Sequence, residues 1–317
     1  MRGGPSPVRM PDNGWSWTTR AAFLLLVTFW GLNYPFVNLG LTSASPLWLA
    51  ALRAGLGAIT TLGIVTVRRG WGTLDRRGRR DAVLLGLPNT ALFFGLWFWA
   101  ARFVTPGLAA VLIYTFPLWV SILSYPILSH RLARGQWASV AVGFGGVALI
   151  SQVGIVGSHS VSLLAGIALL LSAISWAIGT VLFQRRFART EMLEANAFQL
   201  VGGTAGLLVA TTIAGPFPLP SPTPALAASV VWMGLMGTAL AYSIWFTLLG
   251  RTRASTLSAY VFLVPVVALA VSAAFLGERL TYVQLVGVAL VLVSIYGIGR
   301  GYASPRARQP AGAPIGE

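Results

Sequence analysis

Seven carboxylates and two histidines are the side chains of this sequence that could perform acid–base chemistry, and none lies in the middle of an apolar segment. They are Asp12, Asp75, Asp81, Glu191, Glu194, Glu278, Glu317, His130 and His159. Hydrolysis or isomerisation usually needs a general acid and a general base in one site. A metal site built on two histidines without a neighbouring acid is also disfavoured, and cysteine is absent. We therefore predict a protein that is not an enzyme, with no catalytic residue, no metal and no cofactor.

Arg53 is the one charged residue that lies well inside an apolar segment. Counting from Pro46 at about 1.5 Å per residue places its backbone about 10 Å below the membrane surface. An unpaired arginine at the centre of a spanning helix costs roughly 2.5 to 3.5 kcal/mol, so Arg53 needs partners. Three explanations remain open: snorkelling to the outer surface, a clamp on backbone carbonyls released by a kink at Pro35, or two-pronged binding of a substrate carboxylate.

Amides and aromatic rings at mid-depth are the other candidates for binding a solute. Amides in hydrocarbon need protein or water as partners, and their alternative role is to join helices by hydrogen bonds. The aromatic rings either pack in the core or form the walls of a pocket. We predict that the substrate-binding residues are Trp30, Asn33, Arg53, Asn89, Tyr114, Trp176, Gln199, Tyr242 and Tyr260.

The elements that must position these residues come from a duplication. Residues 83–150 match residues 231–298 at a constant shift of 148 positions without a gap, including Trp97 with Trp245 and Gln136 with Gln284. Shared apolar composition would not align such residue types at one offset. Pro117 and Pro265 are related by the same shift, and each lies near the middle of an apolar segment. We predict that both prolines break their helices beside a cavity, although prolines are also common in membrane helices.

Hydrophobic residues make up 56% and charged residues only 9% of the 317 residues, which is typical of a multi-pass membrane protein and not of a soluble domain. Apolar windows long enough to span a bilayer occur at 21–41, 46–67, 82–101, 107–128, 137–153, 162–183, 193–214, 226–249, 254–276 and 284–300. We predict an all-α membrane protein with ten transmembrane helices arranged as two repeats of five. The repeats would cover 21–153 and 162–300, between tails at 1–20 and 301–317.

The arginines predict the orientation of the helices. Nineteen of the 22 lie in the tails and in alternate loops on one side, whereas Arg102 and Arg279 lie on the other. Short arginine-rich loops stay in the cytoplasm, so both termini are predicted to be cytoplasmic in a bacterial-type inner membrane. This bias explains the net charge of +15 without nucleic acid, for which basic residues would cluster on a soluble face. An odd number of helices in each half inverts the second repeat, as in many secondary transporters.

Three stretches resemble the drug/metabolite transporter superfamily, and within it the EamA-type transporters. They are FWGLNYPF from Phe29, LAALRAGLGA from Leu49, and LGERLTYVQLVGVALVLVS from Leu276. The resemblance implies a ten-helix inner-membrane carrier, often an exporter of amino acids or related metabolites, in which Arg53 is the motif arginine of the second helix. One departure is that this chain has His130 where members of the family often have Glu, whereas Glu278 keeps that residue in the second repeat.

Together these observations predict a secondary transporter of small organic solutes that works by alternating access. Export of amino acids or related metabolites is the favoured function, because a cavity of rings and amides without fixed negative charge suits a neutral or zwitterionic solute. The alternatives are a multidrug or nucleobase-type carrier, or a membrane scaffold or receptor that transports nothing. The predicted partners are a small-molecule substrate and the lipid bilayer, and the oligomeric state does not follow from the sequence.

Overall fold

The structure is a computed structural model that describes residues 16–104, 109, 112–130, 132–151, 159–214, 218–267, 270 and 281–300. Within these residues the chain is entirely helical and forms ten helices. They are α1 Trp17–Leu41, α2 Pro46–Val67, α3 Arg76–Ala100, α4 Phe116–Leu128, α5 Arg134–Ser151, α6 His159–Arg186, α7 Met192–Ile213, α8 Pro224–Leu249, α9 Ala254–Val267 and α10 Tyr282–Arg300. Glu278 and Arg279 lie outside the described residues.

Each predicted window overlaps one of these helices, which confirms the predicted all-α fold. Six of the helices, α1, α2, α3, α6, α7 and α8, are long and apolar enough to cross a bilayer by their length and composition. The described parts of α4, α9 and α10 are shorter apolar helices. The chain is therefore a multi-pass membrane protein with two inverted repeats of five helices.

Helix α3 begins six residues before the window that hydropathy predicts. Asp75 caps it, because its Oδ1 accepts a hydrogen bond of 2.7 Å from the backbone N–H of Gly78. The first turns are amphipathic: Ala82 is buried, whereas Arg76 and Arg77 are exposed. An average over hydropathy cannot detect such a start, since the exposed arginines outweigh the buried alanine in the sum.

The helices pack in pairs that the two repeats duplicate. The contact of α2 with α8 corresponds to that of α7 with α3 in the duplicated arrangement. In the same way, the contact of α1 with α8 corresponds to that of α6 with α3. A Cβ atom added to Gly57 of α2 would meet the side chain of Thr238, and one added to Gly203 of α7 would meet Thr90. Small residues allow such close approach between membrane helices. The central helices of one repeat therefore pack tightly against those of the other.

Helices α1, α3, α8 and α9 are irregular within their length, and α4 begins directly after a turn. In α1 the interruption is at Leu32. Helices α3 and α8 contain π-helical segments at Leu87–Leu92 and Trp232–Leu240, which overlap under the 148-residue shift. Helix α4 begins at Phe116, directly before Pro117 and after a turn at 114–115. Helix α9 is interrupted at 261–262, shortly before Pro265. Local breaks of this kind often occur at functional sites in membrane proteins.

Candidate substrate cavity

A cavity of about 40 Å³ lies between the two repeats. Six of the nine predicted binding residues line it: Trp30, Asn33, Arg53, Tyr114, Trp176 and Tyr242. The remaining lining residues are apolar or aromatic, namely Phe93, Phe94, Trp97, Ile113 and Phe116. Because one water needs roughly 10 to 15 Å³ of such volume, the cavity has room for about three waters. In this structure the cavity is therefore too small to hold an organic solute the size of an amino acid.

The walls of the cavity are aromatic rings from both repeats. The ring centroids of Trp30 and Trp176 lie 6.0 Å apart with the planes at 81°, and that of Tyr242 lies 5.2 Å from Trp176. Edge-to-face contacts of this geometry are favourable because the positive edge of one ring meets the negative face of the next. These rings join α1, α6 and α8 at the centre of the molecule.

Among the described residues that line this cavity, Arg53 is the only charged one, and its side chain is 1% exposed. Its Nε donates a hydrogen bond of 2.9 Å to Thr238 Oγ1, and its Nη2 donates one of 3.2 Å to the carbonyl oxygen of Gly237. Its Cζ lies 4.2 Å from the centroid of the Phe94 ring. Such a contact with an aromatic face stabilises a cation that has left water.

These contacts exclude snorkelling and change the partner of the proposed clamp, two of the three explanations that the sequence leaves open for Arg53. A side chain that is 1% exposed does not snorkel to the surface. The predicted clamp on carbonyls near Pro35 names the wrong acceptor. The carbonyl that accepts from Arg53 is that of Gly237, in the π-helical segment of α8. Arg53 thus joins α2 of the first repeat to α8 of the second.

Three polar atoms of cavity residues have no hydrogen-bond partner within the described part of the chain. They are Arg53 Nη1, Asn33 Oδ1 and the Tyr242 hydroxyl, and all three side chains are 1% exposed. A buried polar atom without a partner costs about 1 to 3 kcal/mol. The three atoms together offer a cationic donor, an amide and a hydroxyl to a solute, and the amide can present either its oxygen or its nitrogen.

The structure does not bring the other three predicted residues to the cavity. Asn89 packs against Gly179 of α6, and Gln199 donates to Asn196 Oδ1 within its own helix α7 at 3.1 Å. Tyr260 contacts the Phe23 ring at a centroid distance of 6.1 Å. The physical reason is that a polar side chain at mid-depth can pack between helices as well as in a cavity. Gln199 takes the joining role, because its Oε1 accepts a hydrogen bond of 3.4 Å from Thr90 of α3. Asn89 packs between α3 and α6, and its Oδ1 and Nδ2 are buried without a hydrogen-bond partner among the described residues.

Sequence reasoning missed Phe93, Phe94, Trp97 and Phe116 as cavity residues. The cluster FFGLWFWA from Phe93 to Ala100 is the densest aromatic run of the chain. That density was the available signal, because aromatic rings dominate the walls of small-molecule sites. Their apolar character makes them indistinguishable from core residues when they are judged one at a time.

Glu194, the third residue of α7, is a fully buried carboxylate that the sequence placed at a helix end. Its Oε2 accepts hydrogen bonds from Thr73 N, Thr73 Oγ1 and Leu74 N at 2.7 to 3.0 Å. Its Oε1 forms an ion pair of 3.0 Å with Arg79. These bonds account for both oxygens, so Glu194 fastens the segment before α3 to α7 and does not face the cavity.

His130 follows α4 and is half-buried. Burial, and then the positive charge of Arg253, lower the pKa of His130 below its ordinary value. Both effects disfavour the protonated form of the imidazole. In the part of the chain that the structure describes, no group of three His, Cys, Asp or Glu residues is arranged to bind a metal.

Comparisons with known proteins agree with this architecture. A profile of the EamA-like transporter family matches residues 19–152 and 163–300. The uncharacterized transporter YvbV of Bacillus subtilis is 30% identical over 279 residues, which cover 87% of this chain and 90% of YvbV. A "Probable amino-acid metabolite efflux pump" of Salmonella typhimurium is 30% identical over 286 residues, covering 86% of this chain and 92% of that protein.

A solved crystal structure has the same fold, with a TM-score of 0.75 at 16% identity over 89% of this chain and 96% of the other. The two profile matches together include all ten helices except for the first two residues of α1 and the first four of α6. The family and its named relatives are transporters. The chain is therefore a member of the EamA-like transporter family.

Proposed function

We propose that this transporter exports amino acids or related metabolites by alternating access. The observation that supports this most is the buried Arg53 guanidinium at an aromatic cavity, with Nη1 left without a partner among the described residues. A guanidinium binds a carboxylate with geometry that a lysine reproduces poorly. The printed name of the Salmonella typhimurium relative points to the same substrate class.

The charge balance of the cavity favours a carboxylate-bearing solute over a cation. Its described lining contains one arginine and no acid, so an organic cation would meet repulsion without compensation. Trp30, Trp176 and Tyr242 provide rings on which an apolar or aromatic side chain packs, and ring faces also attract an ammonium group. A zwitterionic amino acid satisfies both parts of this surface.

The size of the cavity supports a mechanism in which the site opens and closes. About 40 Å³ holds water but not an amino acid, so binding requires the lining helices to separate. The interruptions before Pro117 and Pro265 and the π-helical segments of α3 and α8 occur at related positions of the two repeats. Rocking of one repeat against the other around a central site is how inverted-repeat transporters expose it to each side in turn.

Cytoplasmic termini remain part of this proposal. The arginine-rich ends of the helices, including Arg68, Arg186 and Arg251, would then face the cytoplasm. Reporter fusions after Gly301 test this orientation. A reporter that is active only on the outer side would contradict it.

The experiment that tests the function compares wild-type protein with Arg53→Lys in a thermal-shift screen against amino acids, their amides and nucleobases. We expect several carboxylate-bearing amino acids to stabilise the wild type, and Arg53→Lys to weaken their binding by about tenfold or more, which corresponds to one lost charge-assisted hydrogen bond. Ligands without a carboxylate should be affected much less. Export of the selected amino acids from loaded vesicles then measures transport itself.

Three other outcomes would contradict the proposal. Equal loss of all ligands together with a lower thermal midpoint would make Arg53 a purely structural clamp. Preferential binding of nucleobases or unrelated drugs would favour the multidrug or nucleobase-type carrier. Vesicles that show binding but no flux for any ligand would favour a receptor or scaffold.

A further inference from the structure

A second cavity lies on the other side of α8 from the aromatic one, at the end of the molecule where α2 and α8 terminate. Its volume is about 260 Å³. Its lining includes four residues from the C-terminal part of α8 and just after it, namely Leu240, Ile244, Thr247 and Arg251. They are spaced four, three and four residues apart, so they lie along one face of the helix. Tyr242 faces the aromatic cavity instead. This second cavity, called here the α8 groove, is thus separate from the candidate substrate site.

Two arginines stand at the α8 groove, Arg68 after the end of α2 and Arg251 after the end of α8. Both are exposed, and neither forms an ion pair with a carboxylate of the described chain, where the only such pairs involve Arg79, Arg80 and Arg186. No acid is among the residues that line the groove. The site therefore has two positive charges that no described residue neutralises.

Hydroxyl groups and the beginning of a helix complete the polar end of the groove. Thr18 and Thr19 belong to the first turn of α1, where the helix dipole adds a partial positive charge. Ser243 also lines the groove, and its Oγ is buried without a hydrogen-bond partner in the described residues. Guanidinium, hydroxyl and helix N-terminus are the groups that bind phosphate oxygens in proteins.

The rest of the groove is apolar, with walls formed by Ile64, Leu193, Leu240, Ile244 and Leu248. Leu248 is buried in the core, whereas Leu240 is 37% exposed. In a membrane protein an exposed apolar helix face is in contact with acyl chains. A small soluble anion would use the arginines and leave this surface unused, whereas a phospholipid would use both.

We propose that the α8 groove binds the head group of an anionic phospholipid, with its phosphate between Arg68 and Arg251 and its acyl chains along Leu240 and Ile244. Basic pockets at the cytoplasmic ends of membrane helices are typical sites for such lipids. A lipid bound there would join the start of α1 to the ends of α2 and α8. The proposal does not depend on which solute the transporter moves.

The test is native mass spectrometry of the full-length protein in detergent, titrated with phosphatidylglycerol or phosphatidylcholine of the same acyl chains. We expect the wild type to retain at least one phosphatidylglycerol under conditions that remove phosphatidylcholine. The double variant Arg68→Gln/Arg251→Gln should bind phosphatidylglycerol roughly 30-fold more weakly, from the usual contribution of two arginines at an anionic surface. Because both side chains are exposed, the variant should fold, and size-exclusion chromatography checks this.

The matched control is Arg76→Gln/Arg77→Gln, which removes the same charge from exposed positions in the first turn of α3, outside the groove. It should change phosphatidylglycerol binding less than about threefold, because neither side chain lines the groove and charges at the protein surface are screened by salt. Equal weakening in both double variants would overturn the proposal, since the effect would then be that of total charge. So would equal retention of phosphatidylcholine.

A further titration separates a lipid site from a site for a free anion. Inorganic phosphate and glycerol phosphate, at concentrations matched to the lipid, should neither raise the thermal midpoint nor displace the retained phosphatidylglycerol. If inorganic phosphate alone reproduces the stabilisation, the occupant is a soluble anion and the lipid assignment is wrong.

Discussion

The contact between Arg53 on α2 and Thr238 on α8 has a counterpart in the other half of the molecule, between Gln199 on α7 and Thr90 on α3. Thr238 is Thr90 shifted by 148 positions, and Gln199 is Arg53 shifted by 146. Both contacts join a helix of one repeat to a helix of the other, and in both a glycine lets the threonine approach closely. The packing of a threonine on one helix against a glycine on the other is thus the same in the two regions.

The polar bonds of the two regions differ. Arg53 donates a hydrogen bond of 2.9 Å to Thr238 and one of 3.2 Å to the Gly237 carbonyl, and its Nη1 has no hydrogen-bond partner among the described residues. Gln199 accepts a long bond of 3.4 Å from Thr90 and turns its amide nitrogen to Asn196 of the same helix. Arg53 lines the cavity, whereas Gln199 and Thr90 are not among its described lining residues.

A pair of amides shows a second difference between the same regions. Asn33 of α1 packs against Gly237 of α8, and Asn89 of α3 packs against Gly179 of α6. Under the shifts of 146 and 148, Asn33 corresponds to Gly179 and Asn89 corresponds to Gly237. The amide and the glycine have therefore exchanged places between the repeats. Duplication preserves the packing of the helices here, whereas Asn33 and Arg53 line the cavity and Asn89 and Gln199 are not among its described lining residues.

The largest expected effect comes from placing the charge of the first region in the second. Gln199→Arg should destabilise the protein by roughly 3 to 5 kcal/mol, because the new cation would be buried without a compensating partner. Gln199→Met, which keeps the volume without the charge, should cost less than about 1.5 kcal/mol. Thermal midpoints of the two purified variants measure the difference. Equal midpoints would mean that the two regions accept a charge alike.

The next effect is on binding and comes from the converse change. Arg53→Gln should weaken carboxylate-bearing substrates on the order of 100-fold, since truncating a buried charged partner costs about 2 to 5 kcal/mol. Gln199→Met is again the matched control, and its substrate affinity should change less than about threefold because Gln199 does not line the cavity. Titration of the same ligand against both variants compares them. A comparable loss in Gln199→Met would show that the two regions bind the solute together.

A third prediction concerns the two threonines. Thr238→Val should destabilise the protein by about 1 to 3 kcal/mol, because it removes the acceptor of a buried charged donor. Thr90→Val should cost only about 0.5 kcal/mol, since it removes one neutral bond of 3.4 Å. Thermal unfolding of both variants under the same detergent conditions checks the order. The prediction is wrong if Thr90→Val is the more damaging change.

The smallest expected effect on stability comes from Tyr242, whose repeat counterpart is Phe94. Tyr242→Phe should leave the thermal midpoint nearly unchanged, because the hydroxyl has no hydrogen-bond partner in the described protein. If that hydroxyl contacts the solute, substrate affinity should fall roughly 2- to 10-fold, the usual range for one neutral hydrogen bond. An unchanged affinity would remove Tyr242 from the site, and a large drop in stability would show that the hydroxyl is bonded in the protein.

Several features of this protein follow from its sequence alone. The gapless match of residues 83–150 with 231–298 and ten apolar windows determine an all-helical membrane fold with two repeats, because spanning a bilayer leaves the backbone few alternatives. Composition also singles out Arg53 as a buried charge that must have partners. Six of the nine predicted residues meet at one cavity, because mid-depth position and residue type already restrict where aromatic and polar side chains lie.

The tertiary structure decided which polar groups pair across the repeats. Helices that are apolar on every side have no periodic pattern that tells a face toward a cavity from a face toward another helix. For this reason the sequence does not distinguish Asn89 and Gln199 from Asn33. It also leaves open whether Arg53 reaches the outer surface, a carbonyl near Pro35 or a substrate carboxylate, and it does not indicate Gly237. The burial of Glu194 by Thr73 and Arg79 likewise depends on residues more than a hundred positions away, and only the packing of α7 against α3 brings them together.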